Sequence, residues 1–533
     1  MAVLPSLECI ANPQTQVRGR PMLLQVLRWA TAAIGGILLM LALPRIDFHA
    51  DEAIYLQGIP VNASNDSGLV FHTSYLIGSF GHPTPMSARV TSLLWGVLLI
   101  VSLTGMTKAL LPTKERWATV IVPLALMISY QGIFSILRVR PEISWFAMAS
   151  LAGWSLAELR QGPSRVFRFL LFVSLLLLPM NHMLSWFACL VLAIYLCCFG
   201  RVYLGTFTTA AAGGAMIAGV ILNRAVRTWM VTSEVSFLPD VVSAGGAARP
   251  PVKEFFWNVF WNSPNFLNDS GVAPNLWQRL YTGDSASAIS HCMVATVLWA
   301  VVLPLPLFMK TWESRFVASV PAIVLALFFL SGYYNPTYAP LMAIYAVGLF
   351  AFVALDVRQY RFSRFAAASV LLISLLNGAS FLSTRILNHG PATFFAVESR
   401  IRQELSALPP DTRIAVAERF QSVLNDRPGK KTILFKDPLP ADIECVVLDN
   451  YDFDMYRFVP EYDRRREEIE TMVAAFDKEI RFDEPVYRGD RLNALAQSNG
   501  ITSATQGSWF FRNSVNYGVS LLTASGDAPG VLR

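Results

Sequence analysis

The chain has 533 residues, of which 54% are hydrophobic and only 15% are charged, and this balance excludes an ordinary soluble protein of that length. The formal net charge of +6 does not indicate a nucleic-acid partner, because the basic residues are spread among short loops between apolar runs. The composition therefore predicts an integral membrane protein with several spans.

Apolar runs that are long enough to cross a bilayer recur as far as residue 382, and they predict about eleven crossings. The first run, 22–43, is too long for a signal-peptide core, so we interpret it as a retained anchor. The run 166–199 is too long for one helix, and Pro179, Asn181 and His182 predict a turn that divides it into a hairpin. The other predicted crossings are 88–110, 117–137, 143–159, 203–222, 289–308, 316–332, 338–355 and 365–382.

Alternate threading of these crossings gathers the basic loops on one side, which should be the cytoplasm. Residues 1–21 then form a cytoplasmic tail, and the loops 44–87 and 223–288 lie on the outer side. Two short helices lying in the interface are predicted within the first outer loop, at 51–59 and 68–80. We expect the inner membrane of a bacterium, with the outer loops facing the periplasm.

The composition changes after residue 382, where charged residues become frequent and no later run is long enough to span. Residues 383–533 are therefore predicted to form a soluble extracytoplasmic domain. Strands at 414–416, 432–435 and 445–448 and a helix near 418–424 indicate an α/β fold, and a solvated helix is predicted within 461–478. The predicted fold class is thus mainly α, a polytopic membrane helix bundle in residues 22–382 with a C-terminal extracytoplasmic α/β domain.

Four titratable residues follow the first crossing: Asp47, His49, Asp51 and Glu52. One explanation is that a chain leaving a membrane needs polar residues at the headgroups. Another is that a carboxylate at the mouth of a helix bundle acts as a base on a group in the interface. A divalent cation held between Asp47, Asp51 and Glu52 is a further alternative.

The next outer turn combines two guanidiniums with a carboxylate, because Arg138 and Arg140 end one crossing and Glu142 begins the next. Arginine suits phosphate because its donors form a rigid fork, although snorkelling at a helix end gives the same pattern without a ligand. Arg89, which begins the second crossing, is more typical of an anchor. His182 lies at the apex of the hairpin, where a lone histidine is usually a polar turn residue, and its surroundings in the sequence do not indicate zinc.

The order of these features resembles the GT-C superfamily, and more narrowly the protein O-mannosyltransferase and aminoarabinose lipid A transferase group of membrane glycosyltransferases. The resemblance rests on an Asp-Glu pair and a tyrosine after the first anchor, Ala-Arg opening the second crossing, and Arg-Pro-Glu at the next outer turn. These residues are Asp51, Glu52, Tyr55, Ala88, Arg89, Arg140, Pro141 and Glu142. The layout matches over roughly 22–382 and implies a GT-C-like bundle.

The resemblance implies an inverting transfer of a sugar from a polyprenyl-phosphate donor on the non-cytoplasmic face. The family's catalytic base is the aspartate of the first-loop pair, a role that would fall to Asp51, with Glu52 beside it in the catalytic set. Glu142 would orient the acceptor or that base. The residues that would hold the carrier phosphate are Arg138, Arg140 and His182, the last where relatives often have lysine.

The resemblance requires no cofactor, and it implies a lipid, glycan or protein acceptor in addition to surrounding membrane lipids. Six residues are further candidates for substrate contacts: Asp47, His49, Tyr55, Arg89, Tyr333 and Tyr338. The last two belong to a tyrosine-rich outer turn at 332–338, for which an aromatic belt at headgroup depth is the alternative.

Two other functions compete with the enzyme. A transporter or flippase for a lipid-linked or anionic solute would use the same charges to line a passage, and it predicts charges or broken helices near mid-membrane. A membrane scaffold that only displays the C-terminal domain would leave the outer-face carboxylates and arginines without a role.

Overall fold

The fold is taken from a computed structural model, which describes residues 20–45, 52, 69–81, 84–110, 127, 132, 136–182, 185–232, 303–309, 311–331, 393–425, 427, 432–435, 437–449, 463–482 and 518–523. The predicted crossings 338–355 and 365–382 lie wholly outside these residues, and so does most of 117–137 and of 289–308. The predicted number of crossings, and the boundaries and sides of the predicted domains, therefore stay predictions.

Ten helices are described before residue 332, and several match predicted crossings. Four described helical segments are long and apolar enough to cross a membrane: Gln25–Ala42, Pro85–Ala109, Ser185–Leu204 and Thr206–Val226. The helices are α1 Arg20–Ala42, α2 Leu69–Gly78, α3 Pro85–Leu110, α4 Pro141–Gln161, α5 Arg165–Leu177, α6 Ser185–Tyr195, α7 Arg201–Leu204, α8 Thr206–Thr232, α9 Leu305–Phe308 and α10 Trp312–Ser331.

The predicted hairpin within 166–199 is present. Helix α5 ends at Leu177, a 3-10 turn covers Leu178–Met180, and α6 begins at Ser185. Pro179 lacks the N–H that would continue an α-helical ladder, which accounts for the break at this point. A π-helical turn, Leu196–Gly200, then joins α6 to α7.

Helix α4 is mostly buried by its neighbours, although its 21 residues give it a length of about 31 Å, enough to cross the hydrocarbon core. Glu142 and Ser144 in its first turn are both buried. A helix that is enclosed by other helices does not need the uniform hydropathy of a lipid-facing span.

Helices α3 and α4 run parallel, as hydrogen bonds near both of their ends show. Near their starts, Ser92 Oγ donates to the carbonyl oxygen of Arg138 at 2.8 Å. At their ends, the Gln161 side-chain amide donates to the carbonyl oxygen of Ala109. We call the end where α3 and α4 begin the site end, and the end where they finish the basic end, after its Lys108 and Arg160.

Helix α8 continues to Thr232, so the first ten residues of the predicted outer loop 223–288 are helical. The polar residues Asn223 and Arg224 end the apolar run but not the helix. Asn223 is buried, and its Oδ1 accepts a hydrogen bond from the backbone N–H of Leu69 at 3.3 Å. This contact satisfies a donor at the start of α2 that no intrahelical carbonyl can reach.

Helices α5 and α8 approach so closely at Gly219 that a Cβ atom there would lie 2.1 Å from the carbonyl oxygen of Leu176. We expect Gly219→Ala to lower the free energy of unfolding by about 1–3 kcal/mol, because a backbone atom cannot rotate away from the added methyl. Gly213→Ala on the same helix is the control, since its Cβ would meet nothing within 4 Å. Equal thermal unfolding temperatures for both purified variants would contradict the close approach.

The described part of the C-terminal region contains a five-stranded mixed sheet with helices beside it. The elements are helix α11 Phe394–Ser406, β1 Ile414–Val416, a 3-10 helix Glu418–Leu424, β2 Thr432–Ile433, β3 Cys445–Asp449, helix α12 Asp463–Val473, β4 Lys478–Phe482 and β5 Val519–Thr523. The strand order is β2-β1-β3-β5-β4. Strand β1 pairs in parallel with β2 and β3, whereas β5 is antiparallel to β3 and β4.

The three predicted strands and the two predicted helical segments are therefore confirmed, although β4 and β5 were not predicted. Strand β4 lies at the edge of the sheet and carries Lys478, Glu479 and Arg481, so its sequence lacks the continuous apolar run of a central strand. In α12, which matches the helix predicted within 461–478, the apolar residues Ile469 and Met472 are buried.

One hydrophobic cluster joins the C-terminal region to the site end of the bundle. Phe394 and Phe420 pack in the same buried cluster as Phe71 and Tyr75 of α2 and Val139 of the turn before α4. The described sheet and helix α11 are thus held against the same end of the bundle as the turn from Arg138 to Arg140.

Candidate functional site

The turn from Arg138 to Arg140 carries both arginines into the protein instead of outward to the headgroups. The Arg140 N–H donates to the Arg138 carbonyl oxygen at 3.0 Å, and Pro141 follows as the first residue of α4. Proline suits that position because its missing N–H would have no intrahelical acceptor. Arg138 and Arg140 are 3% and 7% exposed, which rules out simple snorkelling at a helix end.

Glu142 lies in the first turn of α4, where the helix dipole favours a negative charge. Its Oε1 is 3.6 Å from Nη1 of Arg140, and both side chains are buried. A buried ion pair keeps either charge from being stranded in low dielectric. The predicted grouping of guanidinium and carboxylate at this turn is therefore present in the structure.

Glu52 ties the first outer loop to this turn. Its Oε1 accepts a hydrogen bond from the backbone N–H of Val139 at 2.7 Å, and its Oε2 is 3.5 Å from Nη2 of Arg89. Both side chains of the Glu52–Arg89 pair are fully buried. Two segments 87 residues apart in sequence therefore meet through one carboxylate.

Arg89 is not a surface anchor, in contrast to one of the two roles considered from the sequence. In addition to the pair with Glu52, its Nη1 donates to the carbonyl oxygen of Leu43 at 3.0 Å. Its guanidinium also lies over the ring of Phe395, 5.2 Å from the ring centroid. Arg89 thus joins the end of α1, the first outer loop and the C-terminal region, and these contacts explain why its charge is turned inward.

A chain of hydroxyl groups extends this site along α2 and α3. Ser92 Oγ, which donates to the Arg138 carbonyl, lies 2.5 Å from the hydroxyl of Tyr75. Burial raises the pKa of the Tyr75 hydroxyl above its ordinary value, and the nearby charges of Glu52 and Glu142 raise it further. The hydrogen bond with Ser92 lowers this pKa, but its effect is smaller than that of burial. Tyr75 therefore stays a neutral hydrogen-bond donor.

The hairpin turn contributes Asn181 and His182 at the same end. Both are buried, and the 3-10 turn before them contacts α2 and α4. Asn181 Nδ2 donates to the Leu177 carbonyl oxygen at 2.9 Å. The backbone carbonyl of His182 accepts from the Ser185 N–H at 3.0 Å, which begins α6.

Several predicted site residues lie outside the described part of the chain: Asp47, His49, Asp51, Tyr55, Tyr333 and Tyr338. The alternative of a cation held between Asp47, Asp51 and Glu52 also lies outside the described residues, since only Glu52 of the three is described. Among the described residues, no group of three or more His, Cys, Asp and Glu side chains could hold a metal ion.

Sequence reasoning missed Tyr75, Ser92 and Trp145 as neighbours of the charged turn. Trp145 lies one turn after Glu142 and is buried, and its Nε1 finds no hydrogen-bond acceptor among the described residues. A buried indole N–H usually has an acceptor, and the Trp145 donor lacks one among the described residues. The signal in the sequence was the spacing of three residues from Glu142, which places both side chains on one helix face.

The described helices, the apolar composition and the buried charges together define an integral membrane protein with a polar site at one end of its helix bundle. No family model matches the chain. No curated protein is significantly similar to it in sequence.

Two solved structures are similar to this chain over most of their length. ArnT from Cupriavidus metallidurans bound to undecaprenyl phosphate has a TM-score of 0.47 and 11% identity, over 94% of this chain and 98% of that one. The apo oligosaccharyltransferase of Archaeoglobus fulgidus has a TM-score of 0.45 and 10% identity, over 93% of this chain and 89% of that one. Both belong to the GT-C superfamily that the sequence motifs resemble.

Proposed function

We propose that this protein is an inverting glycosyltransferase that moves a sugar from a polyprenyl-phosphate donor to an acceptor on the non-cytoplasmic membrane face. The observation that carries the proposal is the contact of Glu52 with the Val139 N–H and with Arg89. It brings the acidic first loop to the turn that holds Arg138 and Arg140. A base and phosphate-binding cations are the two groups that such a transfer requires.

Asp51 is assigned as the general base, and Glu52 as the residue that positions it. Both carboxylate oxygens of Glu52 are engaged, one by the Val139 N–H and one by Arg89, so Glu52 is poorly placed to accept a further proton. The preceding residue in the chain, Asp51, carries the second carboxylate of the pair. Glu52 then serves to fix the loop from which Asp51 acts.

The transfer balances without a cofactor. An acceptor hydroxyl or amine attacks the anomeric carbon, its proton passes to Asp51, and the bond from that carbon to the phosphate oxygen breaks. The polyprenyl phosphate departs with its bonding electrons and gains negative charge. Arg138, Arg140 and His182 are assigned to that phosphate. Guanidiniums that are already in place favour the charge that develops in the transition state, and an imidazole N–H can donate a hydrogen bond to the same group.

Glu142 is assigned two roles in the proposed reaction. Its pairing with Arg140 at 3.6 Å holds the guanidinium in place while the site is empty. When the donor phosphate binds, the guanidinium can be shared between the two anions through its several donors. Glu142 is then well placed to orient the acceptor or the base, the role that the resemblance implies.

We assign the two ends of the bundle to the two sides of the membrane from the distribution of basic loops. The basic end faces the cytoplasm, and the site end and the C-terminal domain face the periplasm of a bacterium with an inner membrane. A lipid-linked donor suits such a location because it reaches the site within the membrane, and the acceptor could be a lipid, a glycan or a protein.

Arg140→Ala is expected to weaken donor binding by about tenfold or more, since a charge-assisted hydrogen bond contributes about 1.5–3 kcal/mol. Binding of a polyprenyl phosphate to the purified protein would be measured by calorimetry or by a fluorescent analogue. Arg168→Ala, which removes an exposed arginine from the other end of the bundle, is the control. An unchanged affinity in Arg140→Ala would remove that residue from the phosphate site, and an equal loss in the control would indicate a diffuse charge effect.

A further inference from the structure

A cavity of about 90 Å³ lies between four helices at the basic end, away from the proposed active site. It is several times larger than the roughly 10–15 Å³ that a single water needs, so it is more than a packing defect. Apolar side chains form most of its wall, among them Leu103 and Met106 of α3, Val191 of α6 and Val320 of α10. An apolar cavity of this kind does not hold water well, and it suits a hydrocarbon chain.

Arg160 lies at the polar rim of this cavity together with Tyr195. The 18 residues from Glu142 to Arg160 along α4 separate the rim from the proposed active site by about 27 Å. The Arg160 side chain is 43% exposed, so part of its guanidinium is accessible although one nitrogen is paired. The cavity therefore combines an apolar interior with an accessible cation.

Glu313 organises this rim. Its Oε1 accepts from the Tyr195 hydroxyl at 2.6 Å, and its Oε2 accepts from the Tyr203 hydroxyl at 2.7 Å. Nη2 of Arg160 is 3.1 Å from the same Oε2, and its guanidinium lies 5.3 Å from the centroid of the Tyr203 ring. These contacts fix the arginine by one edge and orient it.

The rim is surrounded by positive charge. The exposed basic residues at this end, among those described, are Lys108, Arg160, Arg165, Arg168, Arg201 and Arg315. The described acidic residues beside them are Glu158, which accepts from the Trp154 indole N–H at 3.1 Å, and Glu313, so these six cations outnumber the two carboxylates. The net charge of the described residues at this end is therefore positive and complements an anionic headgroup.

We infer that the cavity binds an anionic phospholipid of the leaflet at the basic end, with an acyl chain between α3, α4, α6 and α10 and its phosphate at Arg160. Basic pockets between transmembrane helices are suited to anionic headgroups, and each cation near the surface contributes about 1 kcal/mol. The inference is independent of the proposed function, because none of its residues belongs to the proposed active site.

Native mass spectrometry of the full-length protein, supplied with phosphatidylglycerol or phosphatidylcholine of identical acyl chains, tests this inference. We expect one phosphatidylglycerol to be retained per protein, with a preference of about fivefold over phosphatidylcholine, in line with one cation. Arg160→Gln should abolish the preference, whereas Arg160→Lys should keep it. Arg168→Gln is the matched control, since it removes a charge from the same end without touching the cavity.

A second variant distinguishes the contribution of the lipid's acyl chain to binding from that of its headgroup. Ala149→Leu fills the interior of the cavity while leaving Arg160 in place, and it should reduce the binding of both lipids. Equal retention of both lipids by the unaltered protein would overturn the inference, and so would an undiminished preference in Arg160→Gln. Displacement of phosphatidylglycerol by undecaprenyl phosphate would also overturn it, because the cavity would then belong to the donor.

Discussion

Asp51→Asn is expected to lower the rate of sugar transfer by at least about a hundredfold, since general base catalysis typically contributes that much or more. Asparagine is nearly isosteric with aspartate but cannot accept the acceptor's proton. Donor binding should persist, because the proposed phosphate ligands are untouched. The measurement is transfer from a polyprenyl-phosphate sugar in membranes, together with the affinity of the purified variant for the polyprenyl phosphate.

The pattern of losses distinguishes a base from a binding residue. A base should lower kcat and leave KM nearly unchanged, whereas a donor ligand should raise KM. Asp66→Asn is a suitable control, because Asp66 lies in the same predicted loop, 44–87, and has no assigned role. Near-normal turnover in Asp51→Asn would show that Asp51 is not the general base, whether or not variants of the phosphate-binding residues lose donor affinity.

Arg89→Met is expected to destabilise the site end by about 3–5 kcal/mol, because it leaves the fully buried carboxylate of Glu52 without its cation. Transfer should fall with it, since the first outer loop loses its attachment to the Val139 turn. Thermal unfolding of the purified protein and transfer in membranes would measure the two effects. This loss should exceed that of Gly219→Ala, which affects packing alone.

The double variant Arg89→Met with Glu52→Gln tests whether Glu52 positions the loop or takes part in the reaction. Glutamine removes the stranded charge and keeps an oxygen that can accept from the Val139 N–H, so thermal stability should largely return. A coupling energy of about 0.5–3 kcal/mol is expected between the two sites. If transfer returns together with stability, Glu52 is a positioning residue. If the variant is stable but inactive, Glu52 or Arg89 is needed for the reaction itself, and the purely positional assignment of the pair is wrong.

The proposed active site is in direct contact with the C-terminal region, so substitutions in that region can also change activity. Arg89 touches Phe395, and Tyr75 packs in one cluster with Phe394. A change in either aromatic residue would therefore reach the proposed active site through direct contacts. Activity assays need the full-length chain, since removing the region after residue 382 would expose Arg89 and the packed face of α2.

The amino-acid sequence alone determined the membrane character of the chain, the hairpin at Pro179 and the strands around Val416 and Val447. Each depends on local properties, namely the length of an apolar run, a missing N–H, or alternation of apolar residues over a few positions. For the same reason it identified Arg138, Arg140 and Glu142 as one charged turn, because they are neighbours in the chain.

Only the tertiary structure decided which charges meet across long separations. Arg89 has the sequence context of an anchor, and only packing of α1, the first loop and the 138–140 turn gives it Glu52 as a partner. The same holds for Glu313, whose two hydrogen-bond donors and ion-pair partner come from three other segments of the chain. Burial makes such pairs necessary, since a charge in low dielectric must be compensated, but it does not reveal the partner until the helices are packed together.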